Sequence, residues 1–280
     1  MKNTAVSIII RTYNEEVHIG ECLEKIFNQT FKNVEVIIVD SESTDKTLEI
    51  ASKYPIKIIK IKKEDFTYGK SLNIGCTLAK GKYLVLISAH AIPVNEYWLE
   101  ELIRPFEKNV AAVFGHQIPM KNANPLVRRF IEETWVNVKK SKILIHNANC
   151  AIKKQVWKNN PFDEKLIAAE DYLWAKKIKK QGLKIKYNSK AEVYHSHNDS
   201  FIQTYHRYFQ DMYEYIKIIK KPIIVLMYIT DAIFNVFLDI RYILRKKENL
   251  VWILYSFITF IAKLLACAKC ICLLSKKSII

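Results

Sequence analysis

Apolar, β-branched runs alternate with amphipathic stretches along the first 118 residues. Runs 6–11, 34–40, 56–61, 83–88 and 110–115 predict strands. Stretches 16–28, 44–54, 71–79 and 95–106 predict the helices between them. Alternation at this spacing implies βαβ units, right-handed crossovers and a largely parallel sheet. In such sheets ligands bind beyond the carboxyl ends of the strands. The polar residues that close each run therefore matter most: 11–15 after the first strand, 40–45 after the second and 88–91 after the fourth.

The pattern changes after Pro119. Residues 125–137 read as a helix, 149–152 as a short strand, and 169–181 as a helix stopped by Gly182. Two short strands, 184–187 and 192–195, follow, and from Phe201 onward the chain reads as helical. Two apolar stretches in this last part, 222–230 and 250–262, are each shorter than the roughly 20 residues a membrane span needs. Extending the second to Leu274 takes in Lys263 and Lys269, which would have to snorkel. An interfacial or shallow anchor is the expectation, with a soluble helix packed on the core as the bland alternative. The implied organisation is a catalytic domain over 1–210, with a nucleotide-binding half (1–118) and an acceptor half (119–210), followed by a helical, membrane-associating extension over 211–280.

Charge sharpens this picture. The 280 residues carry 44 Lys and Arg against 28 Asp and Glu, a net +16, which favours polyanionic partners. The basic residues are spread along the chain and match no nucleic-acid module, so nucleic acid is excluded as a partner. Basic stretches 217–221 and 245–247 flank the apolar segments and suit an anionic membrane surface. Cys22, Cys76 and Cys150 are isolated, and Cys267, Cys270 and Cys272 sit in an apolar tail. The six cysteines form no disulfide framework, and a single Cys-x-x-Cys pair makes no zinc site. The amino terminus runs straight into a strand without a secretory leader, so the expected location is the cytoplasmic face of the cell membrane, peripheral or monotopic.

Several residues offer chemistry. Asp40 closes a strand, and Ser43 or Thr44 is better placed to cap the next helix, which leaves Asp40 free to accept hydrogen bonds from a nucleobase or ribose. Thr12, Asn14 and Glu15 offer further polar contacts on the neighbouring strand end. Gly69 and Lys70 stand at a helix start, where a backbone can approach a diphosphate closely and a cation can face it. His90 can hold a divalent ion or hydrogen-bond a phosphate. Glu170 and Asp171 open a helix; they serve either its dipole or, for the one facing a donor, general-base chemistry. The His195-Ser196-His197 stretch offers a metal ligand or ordinary surface histidines.

Taken together and in order, these motifs resemble the family 2 inverting glycosyltransferases of GT-A fold, most closely the rhamnosyltransferase-like and capsular polysaccharide branch. The resemblance runs from Val6 to about Gln210. It is carried by Arg11-Thr12-Tyr13-Asn14-Glu15, by Val39-Asp40-Ser41-x-Ser43-Thr44-Asp45 and by Tyr68-Gly69-Lys70-Ser71-Leu72-Asn73-x-Gly75. It continues through Val113-Phe114-Gly115-His116-Gln117-x-Pro119, Glu170-Asp171 and Tyr194-His195-Ser196-His197. The resemblance implies an α/β, Rossmann-like sheet with flanking helices. It also assigns roles. Thr12, Tyr13, Glu15, Asp40 and Ser43 would hold the nucleoside, and Lys70 and Asn73 would sit near the ribose-diphosphate. Asp171 would be the base, with Glu170 its neighbour and possible substitute. His116, Gln117, Asn147 and Asn149 would shape the sugar and acceptor pocket.

Two departures stand out. His90, flanked by Ala89 and Ala91, occupies the place of the family's metal-motif aspartate. Hard Mg²⁺ prefers oxygen ligands. A divalent cofactor, Mn²⁺ or Mg²⁺, held by His90 and His195 is one expectation, with His90 favouring Mn²⁺; direct contact of His90 with the phosphates is the other. Glu42 replaces the family's usual glycine between Ser41 and Ser43. The expected activity is inverting transfer of rhamnose or another hexose from a nucleotide-diphosphate sugar to a glycan or lipid-linked saccharide in surface polysaccharide assembly. The alternatives are a polyprenyl-phosphate sugar transferase, and a membrane-associated nucleotide-sugar-binding protein whose catalysis is lost at His90.

Overall fold

The computed structural model describes residues 5–136, 138 and 145–276. Asn137, the expected last residue of a helix, lies outside the described residues. In chain order the elements are β1 (Val6–Thr12), α1 (Ile19–Phe27), β2 (Val34–Asp40), α2 (Thr47–Ala51), β3 (Lys57–Lys60), a 3₁₀ turn (Lys63–Asp65), α3 (Tyr68–Leu78), β4 (Tyr83–Ser88), β5 (Ile92–Pro93) and α4 (Trp98–Ile103). Then come β6 (Val110–Ile118), α5 (Pro125–Val136), β7 (Asn149–Lys153), α6 (Lys154–Asn159), α7 (Glu170–Lys180), β8 (Lys184–Tyr194), α8 (Phe201–Ile219), α9 (Ile223–Lys246) and α10 (Val251–Lys276). The chain divides into two compact units. One is built from the residues up to Met120 with Trp135–Leu166 and Glu170–His195, the other from Lys121–Thr134, Ile167–Ala169 and the residues from Ser196 on.

The first unit is organised by one sheet in the order β3-β2-β1-β4-β7-β6-β8-β5. The first four strands run parallel, as the βαβ pattern predicts. Beyond them the sheet is mixed. β7 pairs antiparallel with both β4 and β6, β6 runs parallel to β8, and the two-residue β5 closes the edge antiparallel to β8. The expected strands 184–187 and 192–195 are one strand, β8, whose pairing with β6 shifts register between Gly115 and His116.

The central strands are buried on both faces because helices cover both. Val6, Ile8 and Ile10 of β1 join a core with Leu23 and Ile26 of α1 and Trp98 of α4. The α1 side chains involved, Ile19, Cys22, Leu23 and Ile26, recur at helical spacing. On the opposite face α3 packs at Gly75, where an added Cβ would lie 2.5 Å from the Cγ2 of Ile9. Only glycine allows that approach. The core thus fixes β1, β2 and β4 in register: Thr12 lies beside Asp40 and Arg11 beside Ser88, with the three polar strand ends in one row.

The second unit is helical. Helix α8 begins with a complete capping box between Ser200 and Gln203. Helices α9 and α10 are 24 and 26 residues long, longer than the apolar stretches suggest. The polar residues that interrupt the apolar pattern are accommodated on an inner face instead of ending the helix. Arg129 of α5 donates from Nε to Asp239 Oδ1 at 2.6 Å, from Nη2 to Asn235 Oδ1 at 2.5 Å and from Nη1 to Glu133 at 2.8 Å. Ser256 of α10 donates to the other oxygen of Asp239 at 2.6 Å. With that network in place, α9 and α10 are each long and apolar enough, by length and composition, to cross a membrane.

Candidate active site

The ends of β1 and β2 are tied by side chains. Asp40 is fully buried. Its Oδ2 accepts from the Thr12 hydroxyl at 2.9 Å and from the Ser43 hydroxyl at 2.5 Å, and its Oδ1 accepts from the Ser43 N–H at 3.0 Å. The expectation of a free Asp40 is therefore corrected. Ser43 and Thr44 do not cap α2. Ser43 turns back to Asp40 and accepts from the Asn14 N–H, and Thr44 faces Asn14. A carboxylate holding its own loop in this way sets the shape of the strand-end rim. Glu42 adopts φ 61, the left-handed conformation that the family's glycine would take without steric cost. For glutamate that conformation costs roughly 1–2 kcal/mol. Its carboxylate meanwhile accepts from the Lys63 N–H at 3.0 Å. Tyr13 is exposed beside this loop, with Lys63 Nζ 2.6 Å from its hydroxyl.

At the start of α3, Thr67 caps the helix by accepting from the Lys70 N–H. The Lys70 ammonium lies 2.8 Å from Asp65 at the surface, and that ion pair holds the Asp65 carboxyl below its usual range. Asn73 does not line the strand-end rim as expected. Its Oδ1 accepts from Trp157 Nε1 and the Phe162 N–H, and its Nδ2 donates to the Phe162 carbonyl and to Glu164. All four hydrogen-bonding positions of the amide are committed to packing α3 on the 157–164 segment. Asn149 is corrected on the same ground. Fully buried, it receives Trp98 Nε1 and donates to the carbonyls of His116 and Ala191, which ties β7 to its neighbours.

Five histidine and tryptophan rings stand in contiguous contact near the rim. His90 stacks on His195 with centroids 5.0 Å apart and planes at 14°. His195 meets His146 edge-on, His146 meets Trp135, and Trp135 meets His116. Each imidazole has an orienting partner: His90 Nδ1 is 2.6 Å from Glu15 Oε1, His195 Nδ1 is 2.9 Å from Gln117 Oε1, His116 Nδ1 is 2.7 Å from the Tyr187 hydroxyl, and His146 Nδ1 accepts from the Ala148 N–H at 3.3 Å. Ring nitrogens of His90 and His195 lie within 4.8 Å of one another. Two imidazoles with a carboxylate on one of them suit Mn²⁺ or another borderline divalent ion better than Mg²⁺.

The acid pair at the start of α7 is asymmetric. Glu170 is 5% exposed and receives Asn147 Nδ2 at 3.0 Å. Asp171 is only partly buried and accepts from the Tyr172 N–H at 2.7 Å. Burial raises both carboxyls above their usual range. The neighbouring Asp171 charge adds to the rise at Glu170, and Arg11 opposes it at both. Arg11 comes from the end of β1. Its guanidinium lies 4.6 Å from the centre of the Tyr68 ring, and its Nη1 is buried without a hydrogen-bond partner among the described residues. Arg11, next to Thr12 at the end of β1, thus bears electrostatically on both acids at the start of α7. Arg11 is the residue that sequence reasoning missed; its signal is a lone cation closing an otherwise apolar strand. His146, Trp135 and Tyr187 carry no sequence signal, because they converge only through the mixed half of the sheet.

Parallel strands with polar carboxyl ends, an acid pair raised by burial and a histidine-lined rim define the chain as an α/β enzyme. The chain belongs to the glycosyl transferase family 2, whose family model matches residues 7–167. It is therefore a glycosyltransferase, and its fold is GT-A. It is 34% identical over 219 residues to the O-antigen chain rhamnosyltransferase WbaN of Salmonella anatum, covering 72% of this chain and 70% of that one. It is 30% identical over 220 residues to the O-antigen chain rhamnosyltransferase RfbN of Salmonella typhimurium, covering 73% and 70%. Among solved structures it is similar to a mannosyltransferase from Pyrobaculum calidifontis in complex with GDP-Man and Mn²⁺. The TM-score is 0.61 at 21% identity, over 97% of this chain and 78% of that one.

Proposed function

We propose that this glycosyltransferase moves rhamnose or another hexose from a nucleoside-diphosphate sugar to a glycan or lipid-linked saccharide, in surface polysaccharide assembly at a membrane face. The observation that carries the mechanism is the asymmetry of the acid pair: Asp171 is reachable, while Glu170 is buried and held by Asn147. Two relatives, both named O-antigen chain rhamnosyltransferases, support the sugar and the acceptor class.

In this reading the rim that buried Asp40 shapes through Thr12 and Ser43 receives the nucleoside, beside Glu15 and with the exposed Tyr13 ring as a stacking surface. Lys70 leaves Asp65 to face the diphosphate. A divalent ion, when bound, would neutralise charge on the leaving diphosphate; His90 and His195 would hold it, with Glu15 and Gln117 fixing their rings. His116, Gln117 and Asn147 border the sugar and acceptor. Asp171 takes the proton of the attacking hydroxyl as the new bond forms, and the nucleoside diphosphate leaves from the opposite face of the anomeric carbon. The Arg11 charge opposes the rise that burial imposes on Asp171 and so favours its ionised form. The cationic setting is worth most where negative charge develops, in the transition state.

The test is a panel of nucleoside-diphosphate hexoses and deoxyhexoses incubated with purified protein and a lipid-linked saccharide, with release of nucleoside diphosphate as the readout. At least one donor is expected to turn over. Chelation should suppress the rate, and Mn²⁺ should restore it better than Mg²⁺. Binding of a donor without turnover under any metal would favour the binding-only alternative, whose motivation is His90 in place of an acid.

A further inference from the structure

The second unit carries two long, largely apolar helices, α9 and α10. We propose that α9 and α10 lie in the plane of an anionic lipid surface, with their long axes parallel to it, and that neither crosses the bilayer. This rests on the membrane association proposed above and specifies its geometry.

The exposed apolar residues form stripes. On α9 they are Ile223, Leu226, Met227, Ile233, Phe234, Phe237 and Leu244; on α10 they are Val251, Leu254, Phe257, Ile261, Leu265 and Ile271. At about 100° per residue the α9 set falls within roughly 120° of the helix circumference and the α10 set within roughly 160°, so each lies on one side of its helix. At 1.5 Å per residue the stripes run for about 32 Å and about 30 Å, most of the length of each helix. A spanning helix that meets lipid all round would need an apolar circumference instead.

The opposite sides are occupied by protein. Asn235 and Asp239 of α9 bind Arg129, and Ser256 of α10 binds Asp239. Arg128 of α5 pairs with Glu248 in the α9–α10 turn at 3.2 Å, and the Tyr242 hydroxyl meets Glu132. Toward the other end, Cys267 and Cys270 of α10 pack with Met212 and Ile216 of α8. If α9 spanned a bilayer, Arg129, Asp239 and the partly exposed Glu133 of the helix beside it would lie within the hydrocarbon, where charged side chains are costly. With the helices in the plane, the charged α5 stays on the aqueous side and the stripes alone enter the acyl boundary.

Charge identifies the occupant. The exposed charges of α9 and its flanks are Lys220, Lys221, Arg241, Arg245, Lys246 and Lys247 against Asp231. Such a surface suits anionic headgroups, which attract basic residues held near them.

The test uses the full chain bound to vesicles of phosphatidylcholine and phosphatidylglycerol. Fluorophores are placed singly at Leu226→Cys, Phe234→Cys, Leu244→Cys, Phe257→Cys and Ile271→Cys in a Cys272→Ser background, and depth is read by quenching from lipid-attached nitroxides. All five labels are expected at one shallow depth, about 5–10 Å below the headgroups. A deep Phe234 label with shallow Leu226 and Leu244 labels would overturn the in-plane geometry while leaving membrane association intact. The F234E/F237E double variant should lower vesicle sedimentation at least tenfold without changing turnover on a soluble acceptor. Unaltered sedimentation of that variant, or a wild-type chain that ignores vesicles and dimerises instead, would remove the lipid-docking stripe altogether and give it to a second copy.

Discussion

Replacing Asp171 with asparagine lowers kcat by about 10²–10⁴-fold, the usual contribution of a positioned general base, and leaves donor affinity within about threefold. The asymmetry of the acid pair is the reason. Glu170 is buried and bonded to Asn147, so it cannot swing out to replace its neighbour, whereas Asp171 is partly exposed at the first turn of α7. Asparagine keeps the size and the contact with the Tyr172 N–H but cannot accept a proton. Glu170→Gln should do less to turnover. The same argument fixes a pH dependence. Burial raises Asp171 above the ordinary 3.8, and a base works only when ionised. Activity should therefore fall on acidification at a higher pH than an ordinary carboxylate would give. Arg11 opposes that rise, so Arg11→Met should move the acid limb further toward neutral pH. An unmoved limb would separate Arg11 from the acid pair.

Asp239→Ala is the second large effect, and it bears on the helical unit. The substitution leaves the buried Arg129 guanidinium without its principal partner and the Ser256 hydroxyl without an acceptor. Breaking a buried pair from one side costs about 3–5 kcal/mol. Asn235 and Glu133 remain to hold part of the charge, so the lower end of that range is expected. Because the cost comes from the stranded cation, the double variant Arg129→Met/Asp239→Leu should recover most of the loss. Denaturation of the detergent-solubilised single and double variants measures both. A single-variant loss below about 1 kcal/mol would mean that the network does not hold α5, α9 and α10 together.

What was legible in the sequence follows from where side-chain pattern and backbone agree. Strands β1, β2 and β4 are apolar on both faces and end in polar residues, so their extent and the row of strand ends could be read directly. Strand β8 could not, because Asn188, Ser189 and Lys190 interrupt it with polar residues where its pairing with β6 changes register. Strand β5 has two residues and no pattern of its own. Asn73 and Asn149 carry the side chains of a sugar-binding pocket, yet their amides complete internal ties; nothing in a linear sequence distinguishes a buried satisfied amide from one that awaits a ligand. The apolar stretch 222–230 reads as too short to span, and only the position of Arg129 shows why Asn235 and Asp239 are accommodated within the longer helix α9. Glu42 marks the converse case: the backbone keeps the left-handed turn that the family's glycine implies, although the residue has changed.

The central claim is a single displacement in which Asp171 acts from the face opposite the departing nucleoside diphosphate. The most direct measurement is the anomeric configuration of the newly formed linkage, read from the anomeric proton coupling of the initial product by NMR with the donor the panel identifies. Inversion relative to the donor is the predicted result. Retention would contradict the account, because one base and one displacement cannot produce it.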